Sequence, residues 1–373
     1  MIRHSHELTR LLSLFLVLAV NSIPQVSSAH GHETDLRSKD SVAISVLGLF
    51  HPKEFVVYAT TGHALILQGG DQSIVLENSQ VSSASVRIDG SDLVVTLLKE
   101  QLHAESVKVA SRSHGSADFI LEIPGKIKRR YYGELEIRPS EGTLLAVMNL
   151  DPETAVASVV AAEGAPDTPI EALKAYAIAA RSYFVAGRGR HRSFDFCDTT
   201  HCQFLRTAPP PTSAAAQAVE ATRGLVLTYQ SRPFAAMYTR SCGGRTRTPA
   251  QVGIPSAAYP YYSVECERCR QHPVHWTSYL SVAECASLRP SDEATRLAVT
   301  RRLGWSAVPS NEFSLTKKGD HLLLAGVGNG HGIGLCQAGA KAMAEVGANF
   351  REILDHYYPN AAIVQYSGRN PLN

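Results

Sequence analysis

The sequence predicts an α+β fold, a β-rich N-terminal region followed by a mixed α/β domain of catalytic type, on three observations. Residues 41–138 are a succession of short apolar runs broken by turn residues. Residues 168–187 carry the start and stop marks of a helix. Near the end, GNGHGIGLCQAGAKAMAEVG is a glycine-rich loop opening into a helix, and FREILDHYY is a last helix stopped by Pro359. At 373 residues the chain is long enough for two domains.

Residues 1–29 read as an export signal. Arg3 and Arg10 give a basic start, the apolar run 11–20 is too short to span a bilayer, and Ser27-Ser28-Ala29 is a small-residue cleavage site. The expected location is therefore the periplasm, the cell envelope or the outside of the cell. No Cys follows the apolar run, so no lipid anchor is expected there. No other stretch is apolar enough for a membrane span after signal removal. Residues 30–40 form a polar leader whose His30 and His32 would bind metal only weakly. A net charge of +2 with no basic run argues against nucleic acid as a partner and leaves a neutral or mildly anionic substrate.

Within 41–138 the β-type runs are SVAISVLGLF, EFVVYAT, ALILQG, SIVLEN, SVRID, LVVTLL, VKVAS, DFILEI and YYGELEIR, separated by breaks such as Gly69-Gly70-Asp71, Asp89-Gly90-Ser91 and Pro124-Gly125. No cluster of catalytic residue types falls here, so the region reads as a scaffold or a glycan-contacting module. The mixed domain is assigned to 139–365, with 366–373 as a tail. In it LLAVMNL is a strand, and 153–162 is a short helix that delivers Glu163.

Residues 163–202 form the centre of the chain. Glu163 precedes a loop containing Gly164 and Pro166. Thr168 then suits a helix cap, Pro169 the first helical position and Glu171 a capping box, and Gly187 ends the helix. Leu173, Tyr176, Ala177, Ala180 and Phe184 make one apolar face, and Lys174 and Arg181 lie off that stripe as candidates for substrate contact. His191, Cys197, His201 and Cys202 offer two imidazoles and two thiolates, a set suited to tetrahedral zinc. A Cys197 to Cys202 disulfide is the alternative in an exported protein, and adjacent His201 and Cys202 can share one ion only across a sharp turn.

Downstream, Pro209-Pro210-Pro211 is a stiff break, residues 214–223 a helix stopped by Gly224, and LVLTY and PFAAMYT a hairpin joined at Gln230-Ser231-Arg232. A further helical piece covers Glu293–Leu303 within an otherwise irregular 250–320. Cys242, Cys266, Cys269 and Cys336 suit either a second zinc site or two disulfides, and Cys285 is left over in both readings. The loop with glycines 328, 330, 332 and 334 allows close backbone approach to a ligand and places His331 facing solvent. A Cys336–His331 hydrolase dyad is a weak third reading. Glu163, held on a constrained loop, would have a raised pKa in an apolar cleft and could protonate a leaving oxygen. Glycosidases usually need two carboxylates, and no second one stands out, although Asp195 and Asp198 lie near the cysteines in sequence.

Six stretches, EALKAYAIAARSY, FDFCDTTHCQ, AVEATRGLVLTY, SCGGRT, GHGIGLCQAGAKAMA and REILDHYYP, stand in the order found in the stage II sporulation protein D family, which the chain resembles from about residue 131 to 362. That family includes amidase-enhancer proteins and lytic transglycosylases that cut peptidoglycan between N-acetylmuramic acid and N-acetylglucosamine, leaving a 1,6-anhydro end. The resemblance implies peptidoglycan glycan strands as substrate, a cell-wall amidase as partner in the enhancer branch, Glu163 as the catalytic acid, and His191, Cys197, His201 and Cys202 as a structural zinc site. It also makes Ser241, His331 and Gln337 candidates for substrate contact or site architecture. Family members commonly carry Ser where this chain has Cys242 and Cys336, which points to those two meeting Cys266 and Cys269 in space, with zinc favoured over disulfides. GAPDTP after Glu163 departs from the family's usual Met-Pro.

Overall fold

The structure, a computed structural model, describes residues 41–77, 83–113, 115–255 and 258–366. The export signal, the leader and residues 367–373 of the tail lie outside the described residues.

The described chain opens with β1 (Val42–Val46), β2 (Glu54–Ala59), β3 (Ala64–Gly69), β4 (Gln72–Glu77), β5 (Ser83–Asp89), β6 (Asp92–Leu97), β7 (Glu100–Ala104), β8 (Val107–Ser111), β9 (Asp118–Ile123), β10 (Ile127–Tyr132), β11 (Glu134–Ser140) and β12 (Thr143–Leu150). These form two sheets. One runs β1-β12-β11-β8-β3-β4 and the other β10-β9-β2-β5-β6-β7, all neighbours antiparallel. Alternate residues point inward, as the period of two requires: Phe55 and Val57 from β2, Leu65 and Leu67 from β3, and Val107 and Val109 from β8 are all fully buried in one core. The result is a β-sandwich.

Two strands escape the apolar pattern, β7 (EQLHA) and β10 (IKRRYY), and both lie at edges of the same sheet. Edge strands are protected by charge, and that charge hides their periodicity. The sandwich extends past the expected domain boundary at 138/139. That boundary falls inside β11, and β12 is a central strand between β1 and β11, so the sandwich runs to Leu150.

Past the sandwich come α1 (Pro152–Glu163) and α2 (Ile170–Ala186). Asp151 caps α1, its carboxylate accepting from Thr154 N at 2.8 Å. The predicted capping box on α2 does not form: the helix begins at Ile170 with Pro169 as its cap, and the Glu171 carboxylate is engaged by Phe350 N (2.9 Å) and Lys174 Nζ (2.6 Å). Nor does α2 have one apolar face. Twelve of its 17 residues are buried, because small alanines at 172, 175, 177, 179 and 180 admit neighbours on all sides. It is the central rod of the second half.

β13 (Phe196–Cys197) joins the first sheet as a parallel neighbour of β1. Then follow α3 (Ala214–Ala221), β14 (Leu225–Tyr229), β15 (Arg232–Pro233), β16 (Tyr238–Thr239), α4 (Glu267–Gln271), β17 (His275–Ser281), α5 (Glu293–Leu303), β18 (Glu312–Lys318), β19 (His321–Val327), β20 (Leu335–Cys336), α6 (Gln337–Glu345), α7 (Phe350–Tyr357) and β21 (Ala362–Gln365). Helices α1, α3, α6 and α7 and strand β14 pack on α2. Gln230 and Ser231, at φ 49° and 62°, make the primed turn of the expected hairpin. The second strand stops at Pro233, and β16 instead pairs in parallel with β20. The region read as irregular holds the sheet β17-β19-β18 with its own core of Cys285, Leu288, Val299, Val308, Phe313 and Leu324, which accounts for the left-over cysteine.

Candidate functional site

Glu163 is the last residue of α1, so the helix presents its carboxyl at a fixed end. The residue is half-buried. Burial of the carboxyl raises its pKa above the ordinary glutamate value, against the Phe204 backbone amide, the Gln337 side chain and the Arg240 charge, which pull it down. Phe204 N donates to Oε1 at 3.2 Å. Gln337, 6% exposed, is the first residue of α6 and turns its amide toward the same carboxyl, with no full hydrogen-bond partner at Nε2. Its backbone carbonyl accepts from Tyr176 Oη at 2.7 Å, so α2 fixes α6 at this point. Tyr238 Oη donates to Gln203 Oε1 at 2.9 Å, and Gln203 Nε2 donates to Ala180 O at 3.2 Å, tying β16 to α2 beside the acid.

The loop that supplies Phe204 also carries the histidines and cysteines. One donor atom each from His191, Cys197, His201 and Cys202 lies within 4.8 Å of all the others. His191 Nε2 is 3.3 Å from Cys202 Sγ, and His201 Nδ1 is 3.6 Å from Cys197 Sγ and 3.7 Å from Cys202 Sγ. Zinc bonds of tetrahedral length give ligand-to-ligand edges of about 3.3–3.8 Å, so the donor set fits one such ion. The sharp turn that adjacent ligands demand is present: Cys202 N donates to Thr199 O at 3.0 Å, and His201 N to Thr199 Oγ1 at 3.3 Å. The Cys197 thiol is pushed down to about 3, first by the Cys202 thiol and then by His201 and Thr199, while Cys202 is pushed up by the same contact. Burial lowers His191 and favours the neutral imidazole that a metal ligand must be.

The two aspartates beside the cysteines brace this loop on the sandwich. Asp195 accepts from Ala43 N and Gly189 N, both at 3.1 Å, and Asp198 accepts from Leu47 N at 3.2 Å and Arg129 Nη1 at 3.0 Å. The sandwich is thus continuous with the site through β1 and β13.

Of the five residues proposed for substrate contact, only Gln337 lies against Glu163. Arg181 needs correction: it is 3% exposed, and its guanidinium is committed to Glu153 (2.8 and 2.6 Å) and to the carbonyls of Leu225 and Val219. Lys174 pairs with Glu171 and faces the Phe350 ring. Ser241 is buried with Oγ 3.4 Å from Cys269 Sγ. His331 is half-buried rather than open to solvent: its Nδ1 accepts from Ile333 N at 3.0 Å, and its pKa is lowered by burial. Cys336 is fully buried, which removes it as an exposed nucleophile. Arg240, Tyr238 and Gln203 are residues the sequence reading missed. Arg240 immediately precedes SCGG and Gln203 immediately follows the last Cys of the quartet, so adjacency to a motif was the available signal.

Cys242, Cys266, Cys269 and Cys336 also converge, their sulfurs all within 4.8 Å of one another. None of the seven cysteines is in a disulfide.

A β-sandwich carrying a helical domain, in which a half-buried acid accepts from the backbone two residues past a histidine–cysteine quartet, is the class of protein that this fold and site describe. The profile described as stage II sporulation protein matches residues 140–229. An uncharacterized protein of Brachyspira hyodysenteriae is 32% identical over 274 residues, 64% of this chain and 74% of that protein. The stage II sporulation protein D of Bacillus amyloliquefaciens is 25% identical over 320 residues, 73% of this chain and 91% of that protein. The amidase enhancer of Bacillus subtilis is 25% identical over 275 residues, 53% of this chain and 38% of that protein. The chain belongs to the stage II sporulation protein D family. Among the described residues no helix is long and apolar enough to cross a membrane.

Proposed function

We propose that this protein is an exported peptidoglycan lytic transglycosylase that cleaves the β-1,4 bond between N-acetylmuramic acid and N-acetylglucosamine and leaves a 1,6-anhydro end. Relatives named stage II sporulation protein D and amidase enhancer support a role at the cell wall. The observation that carries the finer reading is the Glu163 carboxyl, rigid at a helix end and raised in pKa by burial. A carboxyl so placed stays protonated in a pH range where an exposed glutamate does not. Protonated Glu163 gives its proton to the bridging oxygen as the glycosidic bond breaks. The carboxylate then takes the proton of the sugar's own 6-hydroxyl as that oxygen bonds to the anomeric carbon, which restores the acid. The nucleophile belongs to the substrate, so one carboxyl suffices. Gln337 and Arg240 supply polarity on the same side.

His191, Cys197, His201 and Cys202 are the residues that would hold zinc. With four protein ligands the ion has no open position, so its contribution is to stiffen the loop bearing Phe204. The test is digestion of purified glycan strands lacking stem peptides. Wild type should release anhydro-ended sugars, Glu163→Gln should not, and unchanged release by the variant sinks the mechanism.

The relative named as an amidase enhancer favours one second reading, a non-catalytic wall-binding module that stimulates an amidase. In that case wild type and Glu163→Gln would release no anhydro sugars and would stimulate the amidase equally.

A further inference from the structure

We propose that Cys242, Cys266, Cys269 and Cys336 bind a second zinc ion, in an all-thiolate site directly behind the segments that face Glu163. The four residues are 4%, 2%, 1% and 0% exposed, and their sulfurs lie within 4.8 Å of one another. Cys269 and Cys336 place their sulfurs 3.5 Å apart, close to the edge of about 3.8 Å that two zinc–thiolate bonds subtend. Such compact spacing suits one ion. A multi-iron cluster would spread its thiolates further, because each binds a different iron.

The surroundings are those of thiolates, whereas inert core thiols pack against hydrocarbon. Cys242 N donates to Cys336 Sγ at 3.4 Å, Tyr357 Oη points at Cys266 Sγ at 3.5 Å, and Ser241 Oγ adjoins Cys269 Sγ. Donors aimed at ligand sulfurs are the outer shell that orients and tunes a metal site. The backbone is shaped to the same end. Gly243 and Gly244, at φ 79° and 126°, curl the chain after Cys242 so that Gly244 O accepts from Cys266 N at 2.9 Å. Cys266 and Cys269 then open α4 with the spacing that turns two sulfurs to one side. At Gly339 an added Cβ would meet Cys266 Sγ at 2.5 Å, so α6 can rest on the cluster only with glycine there.

The ion joins three segments distant in sequence, the turn after β16, the start of α4 and the end of β20. Arg240 lies two residues before Cys242, and Gln337 directly follows Cys336. The site is independent of the transglycosylase reading, and its test does not use activity.

Metal content of the purified mature chain, prepared without added chelator or reductant, should be two zinc per chain. Cys266→Ser with Cys269→Ser should hold one. Cys197→Ser with Cys202→Ser should also hold one, and after exchange to cobalt its visible spectrum should be that of a thiolate-only tetrahedral site. Zinc content unchanged in the Cys266/Cys269 variant overturns the proposal. So does an unreduced intact mass short by four hydrogens, which would mean two disulfides. Should that variant fail to fold, mercurial titration of native wild type decides the matter: two equivalents of released zinc support the second site and one overturns it.

Discussion

Arg181 tests whether position off an apolar stripe marks a surface residue or a buried strut. Its side chain is 4% exposed and that of Glu153 13%, and the guanidinium also serves the carbonyls of Leu225 and Val219. Arg181→Met keeps the length and removes the charge. It leaves a mostly buried carboxylate and the Leu225 carbonyl short of a donor, while Val219 O keeps Thr222 N and Oγ1, and breaking a buried pair by removing one partner costs about 3–5 kcal/mol. At roughly 2 °C per kcal/mol for a chain of this length, the melting temperature should fall by about 6–10 °C. Adding Glu153→Gln should recover about 1–3 kcal/mol, because the stranded charge is then gone while Gly224 N keeps an acceptor. Urea titration and thermal melts of the single and double variants, with glycan binding measured on folded protein, read both effects. A variant that melts within about 1 kcal/mol of wild type and loses glycan affinity would refute the strut assignment and restore Arg181 to the substrate.

Glu163→Gln should be more stable than wild type above the folded-state pKa of Glu163, with the advantage vanishing as pH falls below the ordinary glutamate range. The sign follows from the raised pKa: the fold favours the neutral acid, and the stability this gives is lost as pH rises through the folded value. Parallel melts across pH read it, and equal melting at all pH values contradicts the buried acid. Arg240→Ala removes a cation that lowers Glu163, so the alkaline limb of kcat/KM should move to higher pH, and movement to lower pH would exclude a role for Glu163 as the acid. Asp198→Asn removes the partner of Arg129 and weakens the clamp on the histidine–cysteine loop by about 1.5–3 kcal/mol, so the zinc proposed for that loop should pass to a chelator faster than from wild type. Equal release rates would mean that the loop holds without the sandwich.

Much of this architecture was legible because local signals agreed with tertiary demands. Short apolar runs broken by turn residues declared most sandwich strands, and α1, α5 and α7 lie within one residue of the helical stretches expected at 153–162, 293–303 and 350–358. Failures arose where a long-range partner outweighed the local pattern. Glu171 is placed to cap α2 but is used by Phe350 N of α7, 179 residues away. The strand expected to complete the hairpin after β14 leaves at Pro233 because β20 gives Tyr238 and Thr239 a parallel partner. The sheet of β17, β18 and β19 is half-exposed and rich in charge and serine, so its alternation is faint, and only its small separate core betrays it. At the site, residue types announced both cysteine groups and Glu163. Which polar side chains face the acid depended on how β16 and α6 meet, and no spacing in the sequence encodes that.

The placement of Asp195 and Asp198 bears on the chemistry open to this site. Each carboxylate lies close in sequence to the histidine–cysteine quartet, where a second catalytic acid would be sought, and each is instead bound to backbone amides of β1 or the residue after it. Asp198 is also held by Arg129 from β10. No carboxylate is among the groups that shift Glu163, whose neighbours are an amide N–H, a carboxamide and a guanidinium. Inversion requires a charged twin to activate a water on the opposite face of a sugar, and covalent retention one to attack the anomeric carbon; the reading proposed above uses neither. A single acid serves a glycosidic cleavage when the substrate brings the nucleophile, and a muramic acid residue carries one in its 6-hydroxyl. Intramolecular attack by that group needs only a proton donor that becomes a proton acceptor within the same turnover. A carboxyl with a raised pKa, held by one backbone donor, meets that requirement, because neither protonation state is locked by a buried counter-charge.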